Sequence, residues 1–437
     1  PLPRLLHGDV QDPRRQSYPA RRAGGSRGSA RRARRLVHVG FPHNFMAQQL
    51  AYVIVTPYTL AKSRTGGILA RLITRTGLEL VAARMFGACQ QLVEEYSKVI
   101  ISANDPQDRK VQQLIHDYIV HELGPDPKTS RRRRAMMLLF RGDDAVRKVR
   151  SVVGNISHTR RGGETIRDTF GDYIVDEHDH VRYFEPAVLA APNAEEAGVK
   201  LKLWARYSDA DGGVLDDCVE HPPGEKVERT LVLIKPDNFR FATGRPGNVI
   251  DFFSRTGLYI VGIRVLHMST AQAMEFYGPV KSFLRSKLKS VIAAKAKAVL
   301  EKESSIGFQI PPDAEAQLGE ILGPVFGDNQ FDNIVRFMSG RSESECPADQ
   351  RTEPGTEKCI ALVYEGPNAV AKIRDVLGPT DPAKAPPGSI RREFGSNIMV
   401  NAAHASDAAE NAQRELGIVQ VEANDFKRVV EQFYGAA

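Results

Sequence analysis

Apolar residues recur along this chain in two rhythms. Runs such as "AYVIVT" and "TLVLIK" are nearly unbroken and rich in β-branched residues, the pattern of buried strands. Segments such as "GGILARLIT" and "NVIDFF" space their apolar positions at three and four, the pattern of helices with one buried face. Each strand–helix pair leads into the tetrapeptide RTGL, at Arg75–Leu78 and again at Arg255–Leu258, followed by a second β-rich run.

The match continues downstream. "RAMMLLFRGDDAVRKVRSVVG" reads against "KCIALVYEGPNAVAKIRDVLG", and "GETIRDTFGDYI" against "PGSIRREFGSNI". Arg150 and Arg167 are 17 residues apart, as are Arg374 and Arg391. Such agreement in spacing implies an internal duplication, with units at 46–205 and 226–437. The stretch between them, 206–225, is rich in Gly, Pro and acids and reads as a linker. Each unit predicts strand, helix, strand, helical region, strand, helix, then a loop leading to a final helix. The order βαββαβ points to an α+β class, with two ferredoxin-like antiparallel-sheet sandwich domains in tandem. Helical insertions are expected near 97–133 in the first unit and near 278–328 in the second, with a further inserted loop near 341–357. The Lys-rich helix "KSFLRSKLKSVIAAKAKAVLEKE" reads as a solvated face, or as the lining of an anionic pocket.

Charge modifies this picture at one end only. The chain of 437 residues carries a net charge of +7, but residues 1–45 hold ten Arg, no Lys and two acids. That segment is expected to be disordered. It reads as upstream sequence outside the native protein rather than as a nucleic-acid-binding or targeting arm. No apolar run approaches a membrane span. The four cysteines, Cys89, Cys218, Cys346 and Cys359, form no CxxC pair and suit a reducing, cytoplasmic setting.

The sequence lacks a GxxxxGK[ST] phosphate loop and the HRD and DFG elements of protein kinases. Its candidate chemistry centres on "NIMVNAAHASDAAENAQREL", where His404 follows a run of small residues. Read locally, Ser406 or Asp407 caps a helix beginning at Ala408, with Glu410 completing a capping box. Upstream lie cations and donors that could hold phosphate: Lys235 in "IKPD", Arg374 in "KIRDVLG", Thr380 in "GPTDP" and Arg391 in "PGSIR".

Together, "ERTLVLIKPDNF", "EFYGPV", "ALVYEGPNAVAKIRDVLGPTDPAKAPPGSIRREFG" and "NAAHASD" resemble the nucleoside diphosphate kinases over nearly all of 228–416 apart from the insertions. The resemblance implies that family's ferredoxin-like fold and a ping-pong transfer of the γ-phosphate of an NTP to an NDP through a phosphohistidine at His404. It implies that Glu415 and Ser406 orient the imidazole. Lys235, Arg374, Thr380 and Arg391 would hold phosphate oxygens, Tyr277 would support Lys235, and Asn401 would reach the ribose. Mg2+ is implied as a cofactor carried on the nucleotide phosphates, with no direct protein ligands. ATP and other NTPs and NDPs are the implied partners, with a homo-oligomer or an intramolecular pseudo-dimer as the assembly.

Three departures qualify the resemblance. Gln330, followed by Phe331, stands where the family stacks the base on an aromatic residue. Ala405 replaces a glycine, and the loop at 341–357 is extra. In the first unit the counterpart of Lys235 is Thr56, that of Thr380 is Ile156, and the PG turn is Gly163-Glu164, while Arg150, Arg167 and Tyr96 persist. A gap-free count brings His180 to the histidine position, whereas aligning the following helix brings Ala190 there and leaves His178 and His180 in a surface turn. The reading is therefore a degenerate first domain and an enzymatic second one. Its rival is a non-catalytic nucleotide-binding scaffold built from two kinase-like domains.

Overall fold

The computed structural model describes residues 48–159, 162–302 and 306–436, all within one unit spanning Met46–Ala437. The Arg-rich segment 1–45 lies outside the described residues.

The first copy opens with strand β1 (Gln48–Val55), helices α1 (Pro57–Ala61) and α2 (Thr65–Thr76), and strand β2 (Glu79–Gly87). Helix α3 (Gln90–Lys98) follows, then α4 (Arg109–Tyr118) and a π-helical turn at Ile119–Leu123, which form the helical insertion. Next come β3 (Arg134–Asp143), α5 (Ala145–Val153), α6 (Ile166–Phe170), β4 (Asp172–Val175), β5 (Val181–Glu185), β6 (Val188–Ala190), α7 (Ala194–Asp211) and the short β7 (Gly212–Gly213).

The second copy repeats the plan with β8 (Val227–Ile234), α8 (Arg245–Phe253), β9 (Tyr259–His267) and α9 (Thr270–Lys287). Two inserted helices, α10 (Lys289–Lys302) and α11 (Pro312–Ser339), precede β10 (Lys358–Pro367) and α12 (Ala369–Leu377). The chain continues with α13 (Ile390–Phe394), β11 (Ala403–Ala405), α14 (Ala409–Val419) and α15 (Asp425–Tyr434).

The two sheets share one order. The first runs β6-β1-β3-β2-β7 and the second β11-β8-β10-β9, all antiparallel. Registers agree as well: Val55 faces Met136 in one copy as Ile234 faces Ile360 in the other. The RTGL signature has the same use twice, because Gly77 and Gly257 adopt left-handed φ values of 63° and 68° that end a helical turn before the second strand. Two α+β antiparallel-sheet sandwiches in tandem are therefore what the repeat encodes.

Strand alternation divides the interior. Leu231 and Leu233 of β8 enter one apolar cluster with Phe276 and Phe331. Val232 and Ile234, on the opposite face, join a larger cluster continuous with the first copy. The copies meet through α2 against α8 and β2 against β9. Gly66 and Gly247 touch so closely that a Cβ on either would strike the carbonyl oxygen of the other. The side chain of Arg134 donates to Ile260 O at 2.6 Å, and that of Lys358 to Leu80 O at 2.9 Å, a matched pair of bridges. The segment after α7 is stitched to both sheets: β7 pairs with β2, and Leu215 N–H donates to Val261 O at 2.9 Å. Helix α15 crosses back to the first copy, where Phe426 meets Phe86 at 5.6 Å and Lys427 pairs with Asp209 at 2.7 Å.

The inserted α10 and α11 form a hairpin on α9. Gly319, Gly323 and Gly327 line the close face of α11. The Lys stripe is engaged in cross-helix ion pairs, Lys289–Glu320 at 2.5 Å and Lys297–Glu315 at 3.0 Å, with Arg285–Asp328 at 2.6 Å beside them. Among the described residues, no helix is long and apolar enough to cross a membrane.

Candidate functional site

Strand β11 sits on the edge of the second sheet, with His404 opposite Leu233. Its entry is fixed by Ala402, held at a left-handed φ of 70°. The Ala402 carbonyl accepts from Lys235 N–H at 2.9 Å and from the Asn238 amide at 2.7 Å. That conformation is unfavourable for a residue with a Cβ, so the surrounding bonds must impose it. Its effect is to present His404 beside the end of β8.

The imidazole is oriented by a carboxylate. Glu415, on α14, is buried, and its Oε2 lies 2.9 Å from His404 Nε2 while also accepting from Ser406 Oγ at 2.7 Å. An ionised carboxylate can only accept, so the proton of the neutral ring is assigned to Nε2 and the lone pair to Nδ1. Nδ1 has no hydrogen-bond partner among the described residues, and the side chain is 23% exposed. The Phe276 ring packs edge-on to the imidazole at 4.9 Å, and Tyr277 at 6.1 Å.

This arrangement overturns the local capping pattern. Helix α14 begins at Ala409 behind Ala408, with no side-chain cap. Ser406 is committed to Glu415, and Asp407 accepts from the Asn411 amide at 2.6 Å.

Around His404 the cations gather. Lys235 is buried at the end of β8, donating to Met399 O at 2.6 Å and Asn401 Oδ1 at 2.9 Å. Burial pushes its ammonium down to about 8, with Arg391 adding repulsion and Asp237 opposing both. Arg391 reaches from α13 to Gly378 O at 3.0 Å and Ala403 O at 3.2 Å, one residue from the histidine. Burial, then the charge of Arg374, lowers Arg391 to about 10. Arg374 and Thr380 are exposed, and Arg374 has no ion-pair partner among the described residues. No cluster of three or more His, Cys, Asp or Glu side chains that could hold a metal occurs among the described residues.

Two expected contacts are not formed. Tyr277 does not bond Lys235; its hydroxyl is buried without a partner among the described residues, as is Arg391 Nε. Asn401 is committed within the protein, its amide donating to Thr380 O at 3.0 Å and Ile398 O at 2.8 Å while its oxygen holds Lys235. Reaching a ribose would require it to exchange one of these bonds. Gln330 is half-buried and bonds its neighbour Asn329, while Phe331 lies in the core.

Sequence reasoning missed Phe276 against the histidine and Phe337, whose ring lies 5.1 Å from Lys235 Nζ. It also missed Arg245, which braces the turn after Lys235 through Asn238 Oδ1 at 3.0 Å and Asp237 at 2.8 Å. The "EFY" and "KPDNF" stretches carried Phe276, Asp237 and Asn238, unrecognised.

The first copy keeps the frame and differs in the side chains it carries there. Arg167 donates to Gly154 O at 2.8 Å and Val188 O at 3.3 Å, matching Arg391 bond for bond. Ala187 repeats the left-handed φ, and its carbonyl accepts from Thr56 N–H. With β6 opposite β1, Leu189 occupies the histidine position, which corrects the expected Ala190 by one residue. Ala191 then stands for Ser406, and Lys200, paired with Glu196 at 2.7 Å, stands for Glu415. The strand-to-helix offset of 180 aligns Tyr96 with Phe276 rather than with Tyr277. His178 and His180 sit exposed in the turn between β4 and β5. In place of Lys235 and Asn401, Thr56 donates to buried Glu185 at 2.9 Å, which also accepts from Tyr118 at 2.8 Å.

Comparison with known proteins follows the same division. The family model described as nucleoside diphosphate kinase matches residues 228–306 and 352–424. The nucleoside diphosphate kinase of Anaeromyxobacter sp. (strain K) is 30% identical over 207 residues, 46% of this chain and 98% of that protein. That of Pyrobaculum aerophilum is 26% identical over 200 residues, 44% of this chain and 93% of that protein. A crystal structure of the Aquifex aeolicus nucleoside diphosphate kinase matches with 25% identity and a TM-score of 0.27, covering 44% of this chain and 95% of that one. With the family model matched within the second copy and a curated relative 30% identical over 98% of its length, the chain belongs to the nucleoside diphosphate kinase family.

Proposed function

We propose that the second copy exchanges γ-phosphates between nucleoside triphosphates and diphosphates by a ping-pong route through His404. The observation that carries this reading is the His404–Glu415–Ser406 arrangement, which frees Nδ1 while fixing Nε2–H. In the first half-reaction the Nδ1 lone pair attacks the γ-phosphorus. The Nδ1–P bond forms, the bond from phosphorus to the bridging oxygen breaks, and the NDP leaves with that electron pair. In the second, a β-phosphate oxygen of another NDP attacks the phosphohistidine, and Nδ1 recovers its lone pair. Glu415 stabilises the positive charge the ring acquires in between.

Transfer through a loose transition state needs cations and donors more than covalent help. Lys235, Arg374 and Arg391 are those cations, with Thr380 beside them. A bound phosphate would supply acceptors for Tyr277 Oη and Arg391 Nε, two of the buried donors left without partners among the described residues. Asn401 positions Lys235. The family points to a divalent cation, and Mg2+ carried on the nucleotide phosphates would neutralise charge there. The copies, read as 46–205 and 226–437 joined by 206–225, would form an intramolecular pseudo-dimer with one working site. A cytoplasmic setting accords with four free cysteines.

The test is incubation with Mg2+ and γ-labelled ATP, quenched in alkali. Alkali-stable, acid-labile label that chases onto added GDP and vanishes in His404→Ala is the expected result. An unlabelled wild-type protein would leave a nucleotide-binding scaffold as the better account.

A further inference from the structure

Between the copies lies a cavity of about 170 Å³, walled by Arg134 from the first copy and Tyr259, Tyr364 and Ser254 from the second, with Ser63 and Thr65 at the end of α1 and start of α2. It lies outside the groups gathered around His404. Three observations point to what it holds.

The first is a buried cation without a counter-ion. Arg134 donates one N–H to Ile260 O and stacks on the Tyr259 ring at 5.1 Å, yet it has no carboxylate partner among the described residues. The carboxylate of Glu365 is already held by Arg229 at 2.7 Å and His221 at 2.9 Å. Asp251 turns to the α2 backbone, accepting Gly67 N–H at 3.1 Å.

The second comes from the internal symmetry. The residue equivalent to Arg134 in the second copy is Lys358, which makes the equivalent bridge, to Leu80 O. Lys358, however, has a counter-ion, Glu79 at 3.0 Å. The residue equivalent to Glu79 across the pseudo-dimer is Tyr259, which cannot serve. At one of two matched bridges the negative charge is supplied by the chain, and at the other it is missing and a cavity stands there instead.

The third is a hydroxyl with nothing to bond. Tyr364 is 2% exposed, its Oη has no partner among the described residues, and it lines the same cavity. The first copy has Phe140 at this place, opposite Ala51 of β1 as Tyr364 is opposite Thr230 of β8. A buried unbonded hydroxyl is costly, and a phenylalanine would avoid the cost.

We propose that this cavity binds a small oxyanion, carboxylate or phosphate in type, that pairs with Arg134 and accepts from the Tyr364 hydroxyl. The anion takes the part that Glu79 plays for Lys358. The cavity lies between α1, α2, α8 and β9, so occupancy ties the two copies together.

Crystals of the wild-type protein and of Arg134→Gln, soaked separately in selenate and in 4-bromobenzoate, would test this through the anomalous signal of selenium or bromine. The expected result is a peak beside Arg134 and Tyr364 in the wild type that is lost in Arg134→Gln, whatever binds near His404. A peak with selenate alone assigns a tetrahedral oxyanion, and one with bromobenzoate alone assigns a carboxylate. Tyr364→Phe should weaken binding of the effective probe about fivefold to tenfold, the worth of one hydrogen bond. No peak from either probe, or one that persists in Arg134→Gln, overturns the proposal. Should Arg134→Gln fail to fold, Tyr259→Glu decides: an internal carboxylate there should exclude both probes, and undiminished peaks would refute the assignment.

Discussion

Leu189 and His404 hold one position in two copies of the same fold. Each lies two residues beyond an alanine in the left-handed region, Ala187 or Ala402, and each faces the equivalent residue of the neighbouring strand, Ile54 or Leu233. The residues around the second position have different counterparts in the first: Ala191 for Ser406, Lys200 for Glu415, Thr56 for Lys235.

Labelling with γ-labelled ATP should therefore reach one phosphate per chain and no more. Leu189→His should leave that value unchanged, since the new ring would meet Lys200 rather than a carboxylate. Quantitative phosphate analysis of intact protein checks both. Two phosphates per chain in the wild type would overturn the assignment of a silent first copy.

Glu415→Gln keeps the shape and loses the acceptor-only character that selects the Nε2–H tautomer. By analogy with carboxylates behind catalytic histidines, kcat should fall about 10²- to 10⁴-fold. Because the amide can still bond both His404 and Ser406, the thermal midpoint should move by less than about 4 °C. Stopped-assay kinetics and calorimetry on one preparation separate the two effects.

Lys235 should give the reaction a falling alkaline limb. Its ammonium, depressed to about 8 by burial, loses its charge as pH rises past that value, and with it the attraction for phosphate. In Lys235→Arg the charge persists, so any activity that remains should show no limb near that pH. Stability follows the opposite course. Between about 8 and the ordinary value of 10.5 the unfolded chain binds the proton that the folded one has released, so the unliganded protein gains stability with rising pH. Urea titrations across that window should show the gain in the wild type and its absence in Lys235→Met.

Gly66→Ala should loosen the joint between the copies. The added methyl would meet the Asp251 carboxylate and, more stubbornly, the backbone carbonyl oxygen of Gly247. Overpacking of this kind costs about 1–3 kcal/mol, and urea unfolding would report it. Activity per folded molecule should be unaltered, because the site around His404 is built from second-copy residues.

Much of this architecture was legible in the chain. RTGL and the two Arg pairs revealed the duplication because glycines at left-handed positions and arginines bonded to fixed carbonyls tolerate few alternatives. The grouping of His404, Ser406, Glu415, Lys235 and Arg391 was also foreseen, through the resemblance. What escaped had tertiary causes. The β4–β5 hairpin separates Phe170 from Leu189 by more residues than Phe394 from His404, so counting slipped until the strand register decided it. Ser406 has the look of a cap and the bonding of a brace, a choice made by Glu415 nine residues away. The joint at Gly66 and Gly247, and the unpaired Arg134, depend on how the copies meet, which local patterns do not encode.

Helix α15 is synthesised after every other element described, yet it lies on the first copy, with Phe426 in the aromatic group of Phe86 and Trp204. During translation the earlier copy thus waits, with that apolar face uncovered, for the last helix to leave the ribosome. The first domain cannot complete itself ahead of the second. Its folding is timed by its sister's, and a ribosome that stalls before Phe426 releases a chain with an adhesive flank.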